Sequence, residues 1–363
     1  MKVHFLTSVH HDFIANPKIN ESQQKQIKNL FAQIESRAEV LIENKRFLEI
    51  GETTKKIKEN GSDIVVCTLS NTILPEAFDS PLSAVFTTSS GYNTIQAPND
   101  VIVCNTPGVL DEAVANFTCA LILTNLYKLN SLQKKILSFN WKPDQKNDLD
   151  QILTSSITRA KVGFIGLGEI ALATLKRLNG FNCEFYYYSR SRKIDLEEKF
   201  GLIHCQNPLE IAEQCDIVSL HCPLTPETKH LVNSEFLMKM KKGALLVNTA
   251  RGAVVDQKAL LDLLEKDVIS INLALDVFEE EPIPYETVDR LHSIIATHPE
   301  LEITLIPHNA SAEASTRANM VIKTLSDVIK LLDAKSADDL KSISIIKERP
   351  ESTWNELRYI KNL

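Results

Sequence analysis

The chain has 363 residues, 44% of them hydrophobic and 24% charged, enough to build the cores of two ordinary domains. A net charge of −7, from 40 basic and 47 acidic side chains, speaks against sequence-independent binding to nucleic acid or to an acidic membrane surface. No apolar run reaches the roughly 18 residues of a membrane span.

The seven cysteines form no C-x-x-C and lie mostly in apolar runs such as IVVC and VIVC, so they read as reduced core residues of a cytoplasmic protein. The opening MKVHFLTSV reads as a first strand, Lys2 to Thr7, rather than a signal peptide. A polar helix is expected from Glu21 to Ser36, with Ile27, Leu30, Phe31 and Ile34 on one face. Apolar strands are expected at Asp63–Cys67, Ala84–Thr87 and Val101–Cys104, and their alternation with helices implies a parallel sheet. Ligands gather at the carboxyl ends of such strands, which makes Thr68–Asn71 and Thr88–Asn93 candidate substrate loops. Within the second loop, Ser89, Ser90 and Gly91 could offer backbone amides to a carboxylate; an ordinary glycine turn is the plain alternative. His10 and His11 are adjacent and would point apart on a strand, so no metal site is expected from them.

Asn105-Thr106-Pro107-Gly108 breaks the chain before an apolar helix, Leu110 to Leu126, whose unbroken apolar character suggests burial between domains or against another subunit. Asn140 to Ala160 is polar and irregular, a linker or arm with Trp141 as an anchor. A strand at Val162–Ile165 then ends in Gly166-Leu167-Gly168-Glu169-Ile170-Ala171, followed by a helix and a second strand, Cys183 to Tyr188. Gly166 allows the turn, Gly168 lets backbone approach a pyrophosphate, and Ala171 stands for the third glycine of a dinucleotide-binding fingerprint. The helix start adds free amides and a positive dipole end. The second strand delivers Ser189, Arg190, Ser191 and Arg192 where an acidic residue would read the ribose of NAD. Two guanidiniums beside hydroxyls suit the 2′-phosphate of NADP, unless this is only a solvated basic loop.

Helices at Asp195–Phe200, Leu209–Gln214, Glu235–Lys241 and Asp256–Glu265 alternate with strands at Ile217–His221, Ala244–Thr249, Ile269–Leu275 and Ile303–Ile306. A last helix spans Ser315 to Leu332, and a polar tail runs from Lys335 to Leu363. Arg251 follows LLVNTA, Glu281 follows ALDVFEE, and His308 follows ITLIP, each at the ligand edge of the inferred sheet. A guanidinium to grip a carboxylate, an imidazole to give a proton to a carbonyl, and a carboxylate to hold the imidazole are what reduction of a 2-keto acid needs. Singly, each could be a surface ion pair, a solvated acid or a turn histidine.

In this order the segments NTPGVLDEAVANFTCALIL, VGFIGLGEIA, DIVSLHCPLTPETKHLVN, MKKGALLVNTARGAVVDQKAL, ALDVFEEEP and IPHNASAEASTR resemble the D-2-hydroxyacid dehydrogenase family. The resemblance implies an α/β fold of two domains: a Rossmann-type doubly wound parallel sheet at 105–308, and a smaller flavodoxin-like substrate domain at 1–104 completed by 309–363. It implies Arg251, Glu281 and His308 as the catalytic set and Asp276 near the nicotinamide carboxamide. Thr249 and Ala250 would lie beside the nicotinamide ribose, and His221, Cys222 and Pro223 along the cofactor. Gly166, Gly168, Glu169, Ile170, Ser189, Arg190 and Ser191 complete the expected NAD(P) contacts, with His308 reaching the same ligand. Ser90, Gly91 and Arg251 are the expected contacts to a small 2-keto or 2-hydroxy acid, and a homodimer is the implied assembly.

The Ser-Arg-Ser-Arg loop resembles the NADP-preferring glyoxylate and hydroxypyruvate reductases of that family. NAD-dependent phosphoglycerate or D-lactate dehydrogenases are the alternative within it, and a catalytically silent dinucleotide-sensing partner is the alternative outside catalysis. Three features depart from the pattern. Gly91-Tyr92-Asn93 runs into a shortened TIQAPND, Glu169 is acidic beside the phosphate turn, and the tail after Lys335 has no counterpart.

Overall fold

The computed structural model describes residues 1–146, 150, 152–346 and 348–363. Two compact units emerge, Met1–Leu110 with Ala312–Leu363, and Asp111–Ser311, against boundaries at 104 and 308 drawn from the sequence.

In the first unit, strands β1 (Lys2–Phe5), β2 (Glu39–Ile42), β3 (Ile64–Cys67), β4 (Ala84–Thr87) and β5 (Ile102–Cys104) form one parallel sheet in the order β2-β1-β3-β4-β5. This is the flavodoxin-like strand order. Strands β3, β4 and β5 are runs of Val, Ile, Phe, Cys and Ala, closed in β4 by Thr87, with almost no exposed surface, as expected of strands covered on both faces. Helices Glu21–Glu35 and Ala314–Asp333 pack against each other, and Phe31, Ile34, Leu325 and Val328 join one buried cluster with Val3 and Phe86.

In the second unit, β6 (Lys161–Ile165), β7 (Glu184–Tyr188), β8 (Ile203–His204), β9 (Ile217–Leu220), β10 (Leu245–Asn248), β11 (Asn272–Leu275) and β12 (Ile303–Leu305) form a parallel sheet ordered β12-β11-β10-β9-β6-β7-β8. The chain winds one way from β6 through β8 and the other way from β9 through β12. The switch therefore lies between β6 and β9, where a doubly wound sheet opens a crevice at its carboxyl edge.

Several expectations need correction. The apolar helix, Asp111–Leu126, is buried on the sheet of its own unit. Leu121 and Ile122 pack with Val162 and Phe164, and Asn125 donates to the Leu273 and Glu302 carbonyls at 3.0 and 2.9 Å. Of the expected linker, residues 147–149 and 151 lie outside the described residues. Trp141 is no anchor, being 61% exposed, and a helix at Leu129–Leu137 precedes it. His10 and His11 sit on a short helix, Val9–Asp12, rather than a strand, with His10 buried and His11 exposed.

The tail is not a loose polar segment. Leu340, Ile343, Trp354, Leu357 and Tyr359 are buried in the first unit's core, and Ile345 bridges Cys104 antiparallel at the β5 edge. Helices Ile50–Asn60 and Tyr285–Thr297 and strands β2 and β8 were not anticipated, because their sequences are mostly polar or very short.

Candidate active site

The glycine turn follows β6 at the switch point. Gly166 has φ +88°, and a Cβ there would stand 2.8 Å from the Cys222 backbone nitrogen, so the turn is pressed against the loop that follows β9. That contact brings His221, Cys222 and Pro223 beside the turn; the His221 amide donates to the Ile165 carbonyl at 2.8 Å. At Gly168, in contrast, nothing lies within 4 Å of where a Cβ would be. The helix that starts here, Glu169–Leu178, has no side-chain cap, so no capping side chain satisfies its leading amides, those at Glu169 and Ile170 among them. Open space, uncapped amides and a helix dipole fit the pyrophosphate of a dinucleotide. Glu169 is exposed, so its carboxylate can turn to solvent; its charge joins burial in raising the pKa of Asp111.

His221 is held by Ser219, Oγ to Nε2 at 2.8 Å, and burial pulls its pKa down to about 3, leaving it neutral. At the end of β7 the Ser189 hydroxyl donates to the Ser191 carbonyl at 2.7 Å. Arg192 is already engaged. Its Nε and Nη2 grip the Glu197 carboxylate at 2.9 and 2.8 Å, and the Tyr187 hydroxyl donates to the same carboxylate at 2.5 Å. Arg192 first, then Tyr187, pulls the Glu197 pKa down to about 2. Arg190 is exposed; a hydrogen bond from Thr225 first, and the Arg190 charge last, lower the pKa of Glu227.

The three expected catalytic residues come from the ends of β10, β11 and β12. The Thr249 hydroxyl lies 3.0 Å from that of Thr118, and Ala250 donates its amide to Asn248 Oδ1 at 3.0 Å. Arg251 Nη1 donates to the Ala250 carbonyl at 2.6 Å, and burial lowers its pKa against the opposing charge of Glu281. The rest of its fork makes no hydrogen bond among the described residues, so it can take a carboxylate in two parallel bonds. Gly252 permits this placement: a Cβ there would stand 1.8 Å from the Phe278 carbonyl carbon.

His308 Nδ1 is 2.6 Å from Glu281 Oε2, while Glu281 Oε1 accepts the Phe278 amide at 3.0 Å. Desolvation acts to raise the Glu281 pKa, but the bonds from His308 and Phe278 and the Arg251 charge outweigh it and leave it lowered. The carboxylate thus accepts the hydrogen bond from Nδ1–H, and Nε2 makes no hydrogen bond among the described residues. His308 has φ +49°, a left-handed conformation uncommon for residues other than glycine. Asp276 holds it there. Its carbonyl accepts the His308 amide at 2.8 Å, and its carboxylate oxygens accept the amides of Asn309 at 2.7 Å and Ala310 at 3.1 Å. Burial pushes the Asp276 pKa up, restrained by those two amides.

This arrangement has the parts of a keto-acid reductase, and the comparisons decide the family. Residues 119–310 match the profile described as "D-isomer specific 2-hydroxyacid dehydrogenase, NAD binding domain". The chain belongs to that family. A glyoxylate reductase of Thermofilum pendens is 36% identical over 298 residues, 79% of this chain and 84% of that protein. A glyoxylate/hydroxypyruvate reductase B of Pectobacterium carotovorum is 32% identical over 272 residues, 73% of this chain and 81% of that protein. The crystal structure of an NADPH-dependent glyoxylate/hydroxypyruvate reductase from Sinorhizobium meliloti, with NADP and malonate, has the same fold, with a TM-score of 0.72. It is 23% identical and covers 96% of this chain and 97% of that one. The dehydrogenase is thus an NAD(P)-dependent oxidoreductase acting on the hydroxyl of a 2-hydroxy acid.

Ser90 and Gly91 lie in the first unit, at the carboxyl edge of its own sheet after β4. The Ser89 hydroxyl donates to the Gly91 carbonyl at 2.5 Å, and Asn105 Nδ2 to the Ser90 carbonyl at 2.7 Å. Sequence reasoning missed the Arg192–Glu197 pair, the Thr118–Thr249 contact and the hold of Asp276 on the His308 loop. A glutamate five residues after an arginine, across a turn, was the one signal for the first. Among the described residues no group of three His, Cys, Asp or Glu side chains could hold a metal ion.

Proposed function

We propose that this dehydrogenase reduces small 2-keto acids of the glyoxylate and hydroxypyruvate type, with Arg251, Glu281 and His308 as its catalytic residues. The observation that carries this reading is the 2.6 Å contact between His308 Nδ1 and Glu281 Oε2, which fixes the imidazole with Nε2 free to act. Arg251 binds the substrate carboxylate, and the amides around Ser90 and Gly91 are the proposed further donors to it. The nicotinamide cofactor, when bound, supplies the hydride. His308 Nε2–H gives its proton to the keto oxygen as that oxygen gains charge, and Glu281 holds the ring throughout. In the oxidative direction the same nitrogen removes the hydroxyl proton. The names of the curated relatives support the substrate class. In this reading 105–308 is the cofactor domain, and 1–104 with 309–363 is the substrate domain.

Gly166, Gly168, Glu169 and Ile170 would hold the pyrophosphate, with His221, Cys222, Pro223, Thr249, Ala250 and Asp276 along the rest of the cofactor. The proposed preference is NADP(H), read at the 2′-phosphate by Arg190 with Ser189 and Ser191. Arg192 can add to it only by leaving Glu197, and that pairing favours NAD as the second reading. A homodimer is the proposed assembly. Leu129, Leu132, Ile136, Leu137, Phe139 and Trp141 expose apolar surface along one stretch of the cofactor unit, as an interface with a second copy would require. Seven unpaired cysteines support a cytoplasmic location, and among the described residues no helix is long and apolar enough to cross a membrane.

The test is a panel of glyoxylate, hydroxypyruvate, pyruvate and 3-phosphohydroxypyruvate with both reduced cofactors, followed at the nicotinamide absorbance. Arg190→Ala should weaken NADPH at least about tenfold in fluorescence titration and leave NADH within about twofold, the loss of one charge-assisted contact. Equal loss for both cofactors would show that this loop does not read the phosphate.

A further inference from the structure

The C-terminal segment that sequence reasoning left without a role grips the candidate substrate loop of the first unit at several points. Thr88 to Val101 carries no helix or strand, a length at which irregular loops are usually functional. Ile346 donates its amide to the Val103 carbonyl at 3.0 Å, and Asn105 donates to that of Ser344 at 3.3 Å. The tail therefore lies along the β5 edge, and Asn105 in turn holds the Ser90 carbonyl.

Further along, Arg349 is only 7% exposed and forms no ion pair among the described residues, although the charges of Glu348 and Asp100 act on it. Its Nε donates to the Val101 carbonyl at 3.1 Å, and Nη2 to those of Ala97 and Pro98 at 3.0 and 2.9 Å. Nη1 reaches Asn99 Oδ1 at 3.3 Å. A buried cation satisfied this way holds the loop, since any shift of those carbonyls leaves it unpaired. Arg358 adds Nε to Asp100 Oδ2 at 2.7 Å and Nη1 to the Phe78 carbonyl at 2.8 Å. At the near end of the loop, next to Gly91, the Tyr92 hydroxyl donates to Glu348 Oε2 at 2.8 Å. Burial first, and Glu348 second, pushes the Tyr92 phenol up to about 12, so it remains a donor.

We propose that Glu348 and Arg349 are positioning residues for the substrate loop, and that the tail thereby sets which 2-keto acid the chain accepts. Arg349 is the fixed post under 97–101, and Glu348 is the exposed latch on Tyr92. The inference rests on the reading of Ser90 and Gly91 as substrate contacts.

It is tested with the full chain, by steady-state kinetics on glyoxylate and hydroxypyruvate with NADPH and by fluorescence titration of NADPH alone. Tyr92→Phe and Glu348→Ala should each raise the keto-acid KM about three- to tenfold, the worth of one hydrogen bond, and change the ratio between the two acids. Turnover at saturation and NADPH affinity should stay within about twofold, since neither residue acts on the cofactor or on the transferred proton. The double variant should be no worse than either single one. Glu348→Gln, whose amide oxygen still accepts, should recover most of the loss. Arg349→Lys, which can reach fewer of the four acceptors, should show the same pattern more strongly; should it not fold, the Tyr92–Glu348 pair decides alone. If the wild-type chain is active and the pair leaves KM and the acid ratio unchanged, the inference falls while the proposed function stands. A wild-type chain that reduces no keto acid overturns both.

Discussion

The carboxyl edges of the two sheets are built differently. In the seven-stranded unit most polar groups at the edge are paired, the Arg251 fork and His308 Nε2 excepted: His221 with Ser219, Glu281 with His308 and Phe278, Asp276 with two amides, Thr249 with Thr118. In the five-stranded unit, four buried side-chain atoms without partners among the described residues lie there, and a fifth, Thr54 Oγ1, lies on the helix Ile50–Asn60. His10 Nδ1 follows β1, Asn71 Nδ2 follows β3, Thr94 Oγ1 lies in the loop after β4, and Thr106 Oγ1 follows β5. The corresponding atom in the second unit, Glu302 Oε1, lies at the amino end of β12 instead. A paired edge is rigid before any ligand arrives, as a proton-transfer site must be. An edge with unmet donors and acceptors gains hydrogen bonds when something polar settles on it, which suits a substrate-reading surface.

The largest expected effect tests the paired edge. His308→Ala removes the proposed proton donor and should lower kcat about 10²- to 10⁴-fold. NADPH affinity, read by fluorescence titration, should change little. Retention of wild-type turnover would remove His308 from the chemistry and with it the meaning given to the Glu281 contact.

A second, smaller effect tests the five-stranded edge by pH. His10 is fully buried, and burial, with Arg317 adding to it, lowers its pKa to about 3. Thr324 donates to the Met320 carbonyl, so Thr88 donates to Thr324 and in turn accepts from His10 Nε2 at 2.7 Å. Nε2 therefore carries the proton, and the lone pair on Nδ1 is the buried orphan. The folded pKa lies below the unfolded value near 6.5, so the stability that neutral His10 contributes is complete above about pH 6.5. It is lost as pH falls from there toward 3, a decline on the order of a few kcal/mol. His10→Gln keeps a donor for Thr88 and cannot titrate. Its melting temperature should fall less steeply than that of the wild type between pH 6.5 and 4, and parallel curves would show that His10 is not held neutral.

The sequence was a good guide where chemistry follows directly from a strand. β3, β4, β6, β9 and β10 are short apolar runs, and the turn residues after them could be read from the chain. Arg251, Glu281 and His308 stood out because each closes such a run. What could not be read depends on groups far apart in sequence. Arg192 looked like a free cation until Glu197 was seen to hold it across a turn, with Tyr187 behind. The tail looked polar because its apolar residues, Leu340, Ile343, Trp354, Leu357 and Tyr359, are separated by charged ones and have no helical period. Only the packing of the first unit shows that all five are buried. The same separation hid Arg349, whose acceptors lie some 250 residues earlier.

The smallest effect is the most direct comparison of the two edges. Thr106 is 1% exposed and its hydroxyl has no partner among the described residues, so folding removes that oxygen from bulk water without a protein hydrogen bond in exchange. Thr106→Val keeps the shape, removes the unmet group and should stabilise the protein by about 1 kcal/mol. Thr118 is equally buried, but its hydroxyl donates to the Val114 carbonyl at 2.8 Å and lies 3.0 Å from that of Thr249. Thr118→Val leaves Thr249 without that neighbour and should destabilise by roughly 1–2 kcal/mol. Chemical denaturation without substrate should therefore move the two midpoints in opposite directions. With a keto acid and NADPH present, the gain from Thr106→Val should shrink if its hydroxyl serves the ligand-bound state. Midpoints that move the same way in both variants would mean that the two edges do not differ as their hydrogen bonds suggest.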